Sequence, residues 1–403
     1  MTAPSFHFAQ TVPPAEIHAR IARLQTALAQ AQLPLAVVTH RTDLYYLTGT
    51  MQDAFLLARA DAEPILPVRK AFSRARAESP LADVRPSRGF KTLVETLREL
   101  CGDQPLTVGI DLDVLPAATY LKLAEALPAV TWRDSSMILR TLRAVKSPWE
   151  IARIEEAAAM VGLAYQAALE NLRPGITELE LTTLVEATFR RAGHSGIIRL
   201  RRPGLELVVA HIAAGVSAAT PVAFDGPVGS EGLHPASGGG PGRRAVERGV
   251  PVMFDLLGNS RGYTADIARI FCVGEPPDEL KRANDFCREA LRRIETMLVP
   301  GTPWGAVYEE VDRWAKQTGE PTGFMGYAEN RVKFFGHGVG LEVDELPILA
   351  RGFAQPLEAG HVLAVEPKAF YPHLGPAGLE NTYVIEAAGP RPLLNWPEEI
   401  TVL

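Results

Sequence analysis

Two stretches of this chain share one pattern, and each of them ends in an acidic residue. Residues 246–255 and 357–366 both run from a Glu-x-Gly turn through an apolar strand to a carboxylate six residues after the glycine. A further acid follows each stretch. The repeat therefore predicts two related halves that bring four acids together in two pairs. These acids are Asp255, Asp266, Glu366 and Glu380.

The elements before each acid-bearing strand also recur. Each half has two helical patterns, and a Pro-Gly turn introduces the second of them, at Gly175 in one half and Gly301 in the other. Gly193 and Gly319 follow these glycines at the same spacing of 18 residues. Because two repeats are too few for a solenoid, the pattern predicts one closed domain with pseudo-two-fold symmetry. Its strands are expected to form a curved sheet covered by helices.

The N-terminal part of the chain shows a different pattern, in which short apolar runs alternate with helical ones. We predict strands at 35–39, 65–68 and 106–110 and helices at 91–100 and 117–127. The 403 residues exceed the usual size of a single hydrophobic core. We therefore predict an α/β domain over residues 1–145 and a second domain, which contains the repeat, over residues 146–403.

Composition narrows the class of partner. The net charge of -6 argues against a broad phosphate-binding surface and hence against nucleic acid. Three scattered cysteines without a CxxC motif do not form a disulfide framework. The N-terminal residues lack the features of a signal peptide, and no apolar run is long enough to span a membrane. We expect a reduced, cytoplasmic protein that does not enter membranes.

A glycine-rich stretch over residues 225–245 interrupts the symmetry of the two halves. It contains few apolar residues, so we predict a loop. Long loops inside compact domains are more often functional than accidental. The alternative is a mobile surface insertion.

The four acids favour metal binding. Buried together without cations, they would repel one another and their pKa values would rise. His337 lies between glycines in Gly-His-Gly, which leaves its imidazole free. Four carboxylates and an imidazole suit two bridged divalent ions, for which manganese is preferred and cobalt or zinc are alternatives. Water between two such ions becomes a hydroxide nucleophile for an amide carbonyl.

These residues resemble a peptidase family that contains methionine aminopeptidases, aminopeptidase P, prolidases and creatinase, whose members share the pita-bread fold. An N-terminal domain of this size is typical of the proline-peptidase and creatinase branch. The resemblance covers nearly the whole chain, through matching segments at 43–49, 142–151, 255, 262–269, 336–341, 365–367 and 378–380.

The resemblance implies five metal ligands and a role for Glu366 in moving the proton to and from the nucleophilic water. It also implies a homodimer or a dimer of dimers, and a short peptide as substrate. The implied ligands are Asp255, Asp266, His337, Glu366 and Glu380.

The chain departs from the family pattern in the residues that would handle substrate. Val222 and Asp344 stand where the pattern has histidines, and Gly378 stands where it has an arginine. An ionised Asp344 only accepts hydrogen bonds, whereas a histidine can donate them. We consider that His234, in the glycine-rich loop, returns an imidazole to the pocket, so His234 and Asp344 join Glu366 as candidate catalytic residues.

Three functions remain open. The first is hydrolysis of a peptide bond next to proline, as an aminopeptidase, a dipeptidase or an enzyme acting at the carboxyl end. The second is hydrolysis or elimination at a carbon-nitrogen bond of a small non-peptide compound. The third is non-catalytic peptide binding, which the complete set of five ligands disfavours.

Overall fold

A computed structural model of the protein describes residues 11–101, 105–227 and 229–403. It divides into two compact units, one that ends at Arg143 and one that begins at Ala144. The N-terminal segment, where no signal peptide is predicted, falls largely outside the described residues. Within the described ranges, every helix is too short or too polar to cross a bilayer.

The first unit is an α/β domain built on a mixed sheet with the strand order β4-β3-β2-β1-β5-β6. The predicted strands and helices of this region are confirmed to within one residue at each end. Its strands are β1 (Leu35–Val38), β2 (Leu56–Arg59), β3 (Ile65–Val68), β4 (Asp83–Pro86), β5 (Leu106–Ile110) and β6 (Val130–Asp134). Its helices are α1 (Pro14–Gln30), α2 (Arg41–Thr48), α3 (Phe72–Glu78), α4 (Phe90–Cys101), α5 (Ala117–Ala126) and α6 (Ser136–Ala144), whose last residue lies past the division.

The second unit opens with the helices that the repeat predicts. At the start of the first of them, the Ser147 hydroxyl accepts a hydrogen bond from the Glu150 N–H (3.2 Å), and the Glu150 carboxylate accepts one from the Ser147 N–H (3.0 Å). With Pro148 in the first turn, this capping box fixes where the helix begins. The helices are α7 (Pro148–Asn171), α8 (Glu178–Arg191), α9 (Asp278–Met297) and α10 (Trp304–Thr318).

The strands of the second unit form two larger sheets, with the orders β17-β9-β8-β7 and β11-β10-β12-β15-β16, and a separate β13-β14 pair. An isolated bridge between Ala268 and Glu380 connects the two halves. The strands are β7 (Ala210–Ala214), β8 (Pro251–Ser260), β9 (Tyr263–Cys272), β10 (Phe334–Gly338), β11 (Glu345–Ala350), β12 (Val362–Val365), β13 (Lys368–Tyr371), β14 (Gly375–Gly378), β15 (Asn381–Glu386), β16 (Gly389–Pro392) and β17 (Thr401–Val402).

Backbone conformation at the start of each acid-bearing strand follows the repeat. Gly249 and Gly360 both have positive φ, +75° and +95°, a conformation that side chains with a Cβ seldom adopt. The chain therefore turns the same way before β8 and before β12. The glycine-rich stretch is an irregular loop, as predicted, apart from a 3₁₀ turn over Pro235–Ser237.

Candidate metal centre

The first pair of acids lies on one long hairpin. In the antiparallel pairing of β8 with β9, Asp255 is opposite Ala268 and Asp266 is opposite Leu257. Acids offset by two positions in this way project from the same face of the sheet. Both side chains are buried. The turn at 261–262 thus brings the two carboxylates together over the eleven residues that separate them in sequence.

The second pair lies at strand ends rather than within a hairpin. Glu366 follows β12, where its N–H donates to the Phe335 carbonyl (2.9 Å). Glu380 precedes β15 and exchanges two backbone hydrogen bonds with Ala268 of β9, at 3.1 and 3.2 Å. This exchange places Glu380 beside the first pair of acids, so the structure brings all four together.

His337 joins the cluster from β10, which pairs with β12. Its Nε2 lies 3.6 Å from the Glu366 carboxylate and 4.0 Å from that of Glu380. The flanking glycines allow close strand pairing, because a Cβ at Gly336 would lie 2.4 Å from a backbone oxygen and one at Gly338 would lie 2.1 Å from another. The two glycines are therefore required by the close approach of the neighbouring strands.

Lys368 is a member of the cluster that the sequence analysis missed. Its Nζ donates to Asp255 (2.8 Å), Glu366 (2.9 Å) and Glu380 (2.6 Å), and its side chain has no exposed surface. A signal was present in the sequence, because a residue two positions after Glu366 in extended chain points to the same side. Only the fold shows that Asp255 and Glu380 meet it there.

The electrostatics of the cluster divide its acids into two groups. Burial raises the pKa of Asp266 well above its usual range, and Glu380 and Asp255 add to the effect. Burial likewise raises the pKa of Glu380, against the attraction of Lys368. For Asp255 the burial is outweighed by Lys368, so its pKa is lowered. Burial lowers the pKa of Lys368 itself, but the surrounding carboxylates outweigh this, so its pKa lies well above the ordinary value.

One divalent cation fits this arrangement. Asp266, His337 and Glu380 each offer a ligand atom, and these atoms lie within 4.8 Å of one another. Asp266 Oδ1 and Glu380 Oε1 are buried and have no hydrogen-bond partner among the described residues. Buried polar atoms without partners are rare unless an ion or water satisfies them. The donor set of two carboxylates and an imidazole suits a borderline divalent ion.

The cluster forms part of the wall of a cavity of about 270 Å³. The glycine-rich loop supplies another part through Gly238, Gly239 and Gly240, and Val222 lines the cavity where the family pattern has a histidine. The loop therefore borders the site. This position favours the prediction of a functional loop over that of a surface insertion.

His211 is a second histidine, besides His337, in the lining of this cavity. It pairs with Asp255 across β7 and β8, its Nε2 lies 2.9 Å from the Gly229 carbonyl, and burial lowers its pKa. A neutral His211 donates a hydrogen bond to that carbonyl. His234 lies outside the cavity lining. It is exposed, and its backbone contacts Ser237 in the 3₁₀ turn, so its imidazole is not part of the cavity wall in this structure.

Asp344 lies beside the cluster without joining it. Its carboxylate accepts a hydrogen bond from the Arg201 N–H (2.9 Å). It lines a neighbouring cavity of about 240 Å³ together with His337 and Glu366. Gly378 pairs with Lys368 between β13 and β14, and a Cβ there would come within 2.6 Å of the Lys368 Cα. A larger residue at this position would therefore require the Lys368 strand to move.

Comparison with known proteins gives two family matches. Residues 152–387 match the model of metallopeptidase family M24, and residues 20–145 match that of the creatinase/prolidase N-terminal domain. The chain is 26% identical over 368 residues to an Xaa-Pro dipeptidase of Pyrococcus horikoshii, covering 90% of this chain and 93% of the relative. It is 27% identical over 402 residues to a probable dipeptidase PepE of Mycobacterium tuberculosis, covering 96% and 97%.

Solved structures show the same fold. An Xaa-Pro dipeptidase from Bacillus anthracis aligns with a TM-score of 0.80 at 22% identity, over 96% of this chain and 100% of the other. Dipeptidase PepE from Mycobacterium ulcerans aligns with a TM-score of 0.81 at 24% identity, over 98% and 99%. The architecture is thus shared along both units.

Proposed function

Because the chain belongs to metallopeptidase family M24, we propose that it is an exopeptidase that hydrolyses the bond next to a proline in a short peptide. Membership makes it a metal-dependent hydrolase. The observation that carries the proposal is the cluster of four acids and His337 in the wall of a cavity. Similarity to proteins named Xaa-Pro dipeptidase supports proline as the neighbouring residue.

The size of the cavity favours a small substrate. At about 270 Å³ it lies just below the usual range for small-molecule sites. A dipeptide suits this volume better than a longer peptide does. Apolar residues such as Leu205, Leu207 and Phe224 are part of the lining and offer a surface for a proline ring.

The residues divide the work of hydrolysis among them. Asp266, His337 and Glu380 would hold a divalent cation, which when bound polarises a carbonyl and acidifies water. The Glu366 carboxylate would accept a proton from the attacking water and pass it to the departing amine. Its position in the cavity wall, with one oxygen 3.6 Å from His337 Nε2, supports this role. Asp344 offers a carboxylate to the ammonium group of a substrate in the neighbouring cavity.

A second candidate is hydrolysis or elimination at a carbon-nitrogen bond of a small non-peptide compound. Val222, Asp344 and Gly378 favour it, because the residues that handle a peptide in the family pattern are replaced at all three positions. The neighbouring acids and the cation site remain suited to either reaction.

A panel of substrates distinguishes the two candidates. Protein reconstituted separately with manganese, cobalt or zinc is assayed on Xaa-Pro dipeptides, longer Xaa-Pro peptides and peptides that end in proline. We expect turnover of Xaa-Pro dipeptides above that of longer peptides. Absence of cleavage of every peptide, with the bound metal measured in the same samples, would overturn the peptidase proposal and favour the second. The homodimer and the cytoplasmic location stay predictions, and light scattering tests the first.

A further inference from the structure

The position of Lys368 bears on how many cations the centre holds. Its Nζ lies within 2.9 Å of oxygens from Asp255, Glu366 and Glu380. Three carboxylate oxygens from separate segments around one buried point are what a metal ion requires. Here a side chain of the protein supplies the positive charge at that point.

Two carboxylate oxygens of the cluster are not bonded to Lys368. Asp266 Oδ1 and Glu380 Oε1 have no hydrogen-bond partner among the described residues, and their residues form a group with His337 that could hold a metal ion. By contrast, Asp255 Oδ2 and Glu366 Oε2 are both bonded to the ammonium of Lys368. Glu380 contributes one oxygen to each side. The cluster therefore has two cationic positions, one filled by Lys368 and one open to an ion.

We propose that Lys368 replaces one of two metal ions, so that the centre binds a single divalent cation through Asp266, His337 and Glu380. The inference deepens the proposed function, since it rests on the same centre, and it revises the expectation of two bridged ions. Asp255 becomes a partner of the ammonium rather than a metal ligand.

Charge supports one ion rather than two. With four ionised carboxylates, the Lys368 ammonium and one divalent cation leave one net negative charge in the cluster. A second divalent ion beside the ammonium would give a net positive charge in a buried site and place two cations close together. Repulsion between like charges at such distances is strong where water is excluded.

Packing opposes movement of the ammonium out of the cluster. The Lys368 side chain has no exposed surface, and its backbone pairs with Gly378 in β13 and β14. Its carbonyl also accepts a hydrogen bond from the Met325 N–H (2.8 Å). Displacement would leave a charged group buried without its partners, which costs several kcal/mol.

Metal content tests the inference without an activity assay. The purified full chain is stripped with a chelator, dialysed against excess manganese(II), passed through a desalting column and analysed by elemental mass spectrometry. We expect one manganese per chain, and an electron paramagnetic resonance spectrum of a magnetically isolated ion. Two ions per chain with an exchange-coupled spectrum would overturn the proposal, and so would a folded protein that binds none.

Paired substitutions assign the site. Asp266→Asn should lower manganese affinity by at least tenfold, whereas Asp255→Asn should change it less than threefold, because only Asp266 is a ligand in this scheme. Equal loss of affinity in both variants would contradict the proposal.

Lys368→Ala should raise the number of manganese ions bound per chain from one to two. If this variant fails to fold, the metal content of the wild type and the Asp255 and Asp266 variants still test the proposal. These results do not depend on whether Xaa-Pro peptides are cleaved, so failure of one proposal is distinguishable from failure of the other.

Discussion

The two halves of the second unit follow the same repeat but use it for different chemistry. In the first half, Asp255 and Asp266 lie within one continuous hairpin, and the residue two positions after Asp255 is Leu257. In the second half, the separate β13-β14 pair lies between Glu366 and Glu380, and the residue two positions after Glu366 is Lys368. Both halves therefore present a pair of acids, but only the second half places a buried cation two residues after its first acid.

In the first half, continuous strand pairing prevents an inserted segment between the two acids. β8 and β9 pair over ten residues without a break, whereas β12 and β15 pair over only four. The shorter pairing lets the chain leave the sheet after Glu366 and return before Glu380. The β13-β14 segment between them brings Lys368 into contact with three acids. Leu257, at the equivalent position of the first half, lies in the wall of the cavity.

Loss of the proposed proton acceptor should have the largest effect. Glu366→Gln keeps the shape of the side chain but removes its basic oxygen, so kcat should fall by about 10²- to 10⁴-fold. Steady-state kinetics on an Xaa-Pro dipeptide measures this, with metal content as the control. A variant that keeps its metal and its turnover would show that Glu366 does not carry the proton.

Lys368→Met tests whether the buried ammonium of the second half stabilises the fold. Removing the ammonium leaves buried carboxylates uncompensated, so the free energy of unfolding without metal at pH 7 should fall by about 3–5 kcal/mol. The matched variant Leu257→Met, at the equivalent position of the first half, should cost less than about 1.5 kcal/mol. Urea titrations of both proteins measure the values. Similar losses in the two variants would mean that Lys368 contributes only packing.

We expect the free energy of unfolding to depend on pH through His361 in the second half. The equivalent residue in the first half, Val250, cannot titrate. Burial, together with Lys146, lowers the pKa of His361 from 6.5 to about 4. As pH falls through this window the unfolded chain binds the proton first, so unfolding becomes easier. The contribution of neutral His361 to the free energy of unfolding is fully present above pH 6.5. It is lost progressively as the pH falls toward 4, by up to about 3 kcal/mol.

The variant His361→Asn keeps an acceptor for the Glu358 N–H, which donates to the ring at 3.0 Å. Its unfolding free energy should depend less on pH between 6.5 and 4 than that of the wild type. His373→Asn, at an exposed position, is the control and should leave the wild-type dependence unchanged. Parallel curves for wild type and His361→Asn would refute the assignment.

The smallest effect is expected at His234. Because its side chain is exposed and outside the cavity lining, His234→Ala should leave kcat/KM within about twofold and stability within about 0.5 kcal/mol. A large loss of turnover would instead restore His234 as a catalytic residue and would require the glycine-rich loop to move.

Local patterns were sufficient for most of the fold. The helical patterns of the second unit, and three strands and two helices of the first, follow from periodicity and glycine turns. The prediction of a pita-bread domain after a creatinase-like one is confirmed by the family matches and solved structures. The membership in a metallopeptidase family is confirmed as well. These features depend on residues close in sequence or on motifs that recur across a family.

The surroundings of the acids could not be predicted in the same way. His234 is near in sequence to Val222, where the family pattern has a histidine, whereas His211 reaches the cavity because β7 pairs with β8 beside Asp255. Nothing local to His211 indicates that pairing. Proximity in sequence is a poor guide to proximity in a cavity when loops intervene.

By itself, the sequence determined that four acids and His337 belong to two related halves of one domain, because the repeat and its turns are written in local residues. The contacts of Lys368 with Asp255, Glu366 and Glu380 depend on the tertiary structure, since these residues lie 113, 2 and 12 positions away from it along the chain. The alternation of an extended chain puts Lys368 on the same side as Glu366, but only the packing of the two halves brings Asp255 and Glu380 to its ammonium.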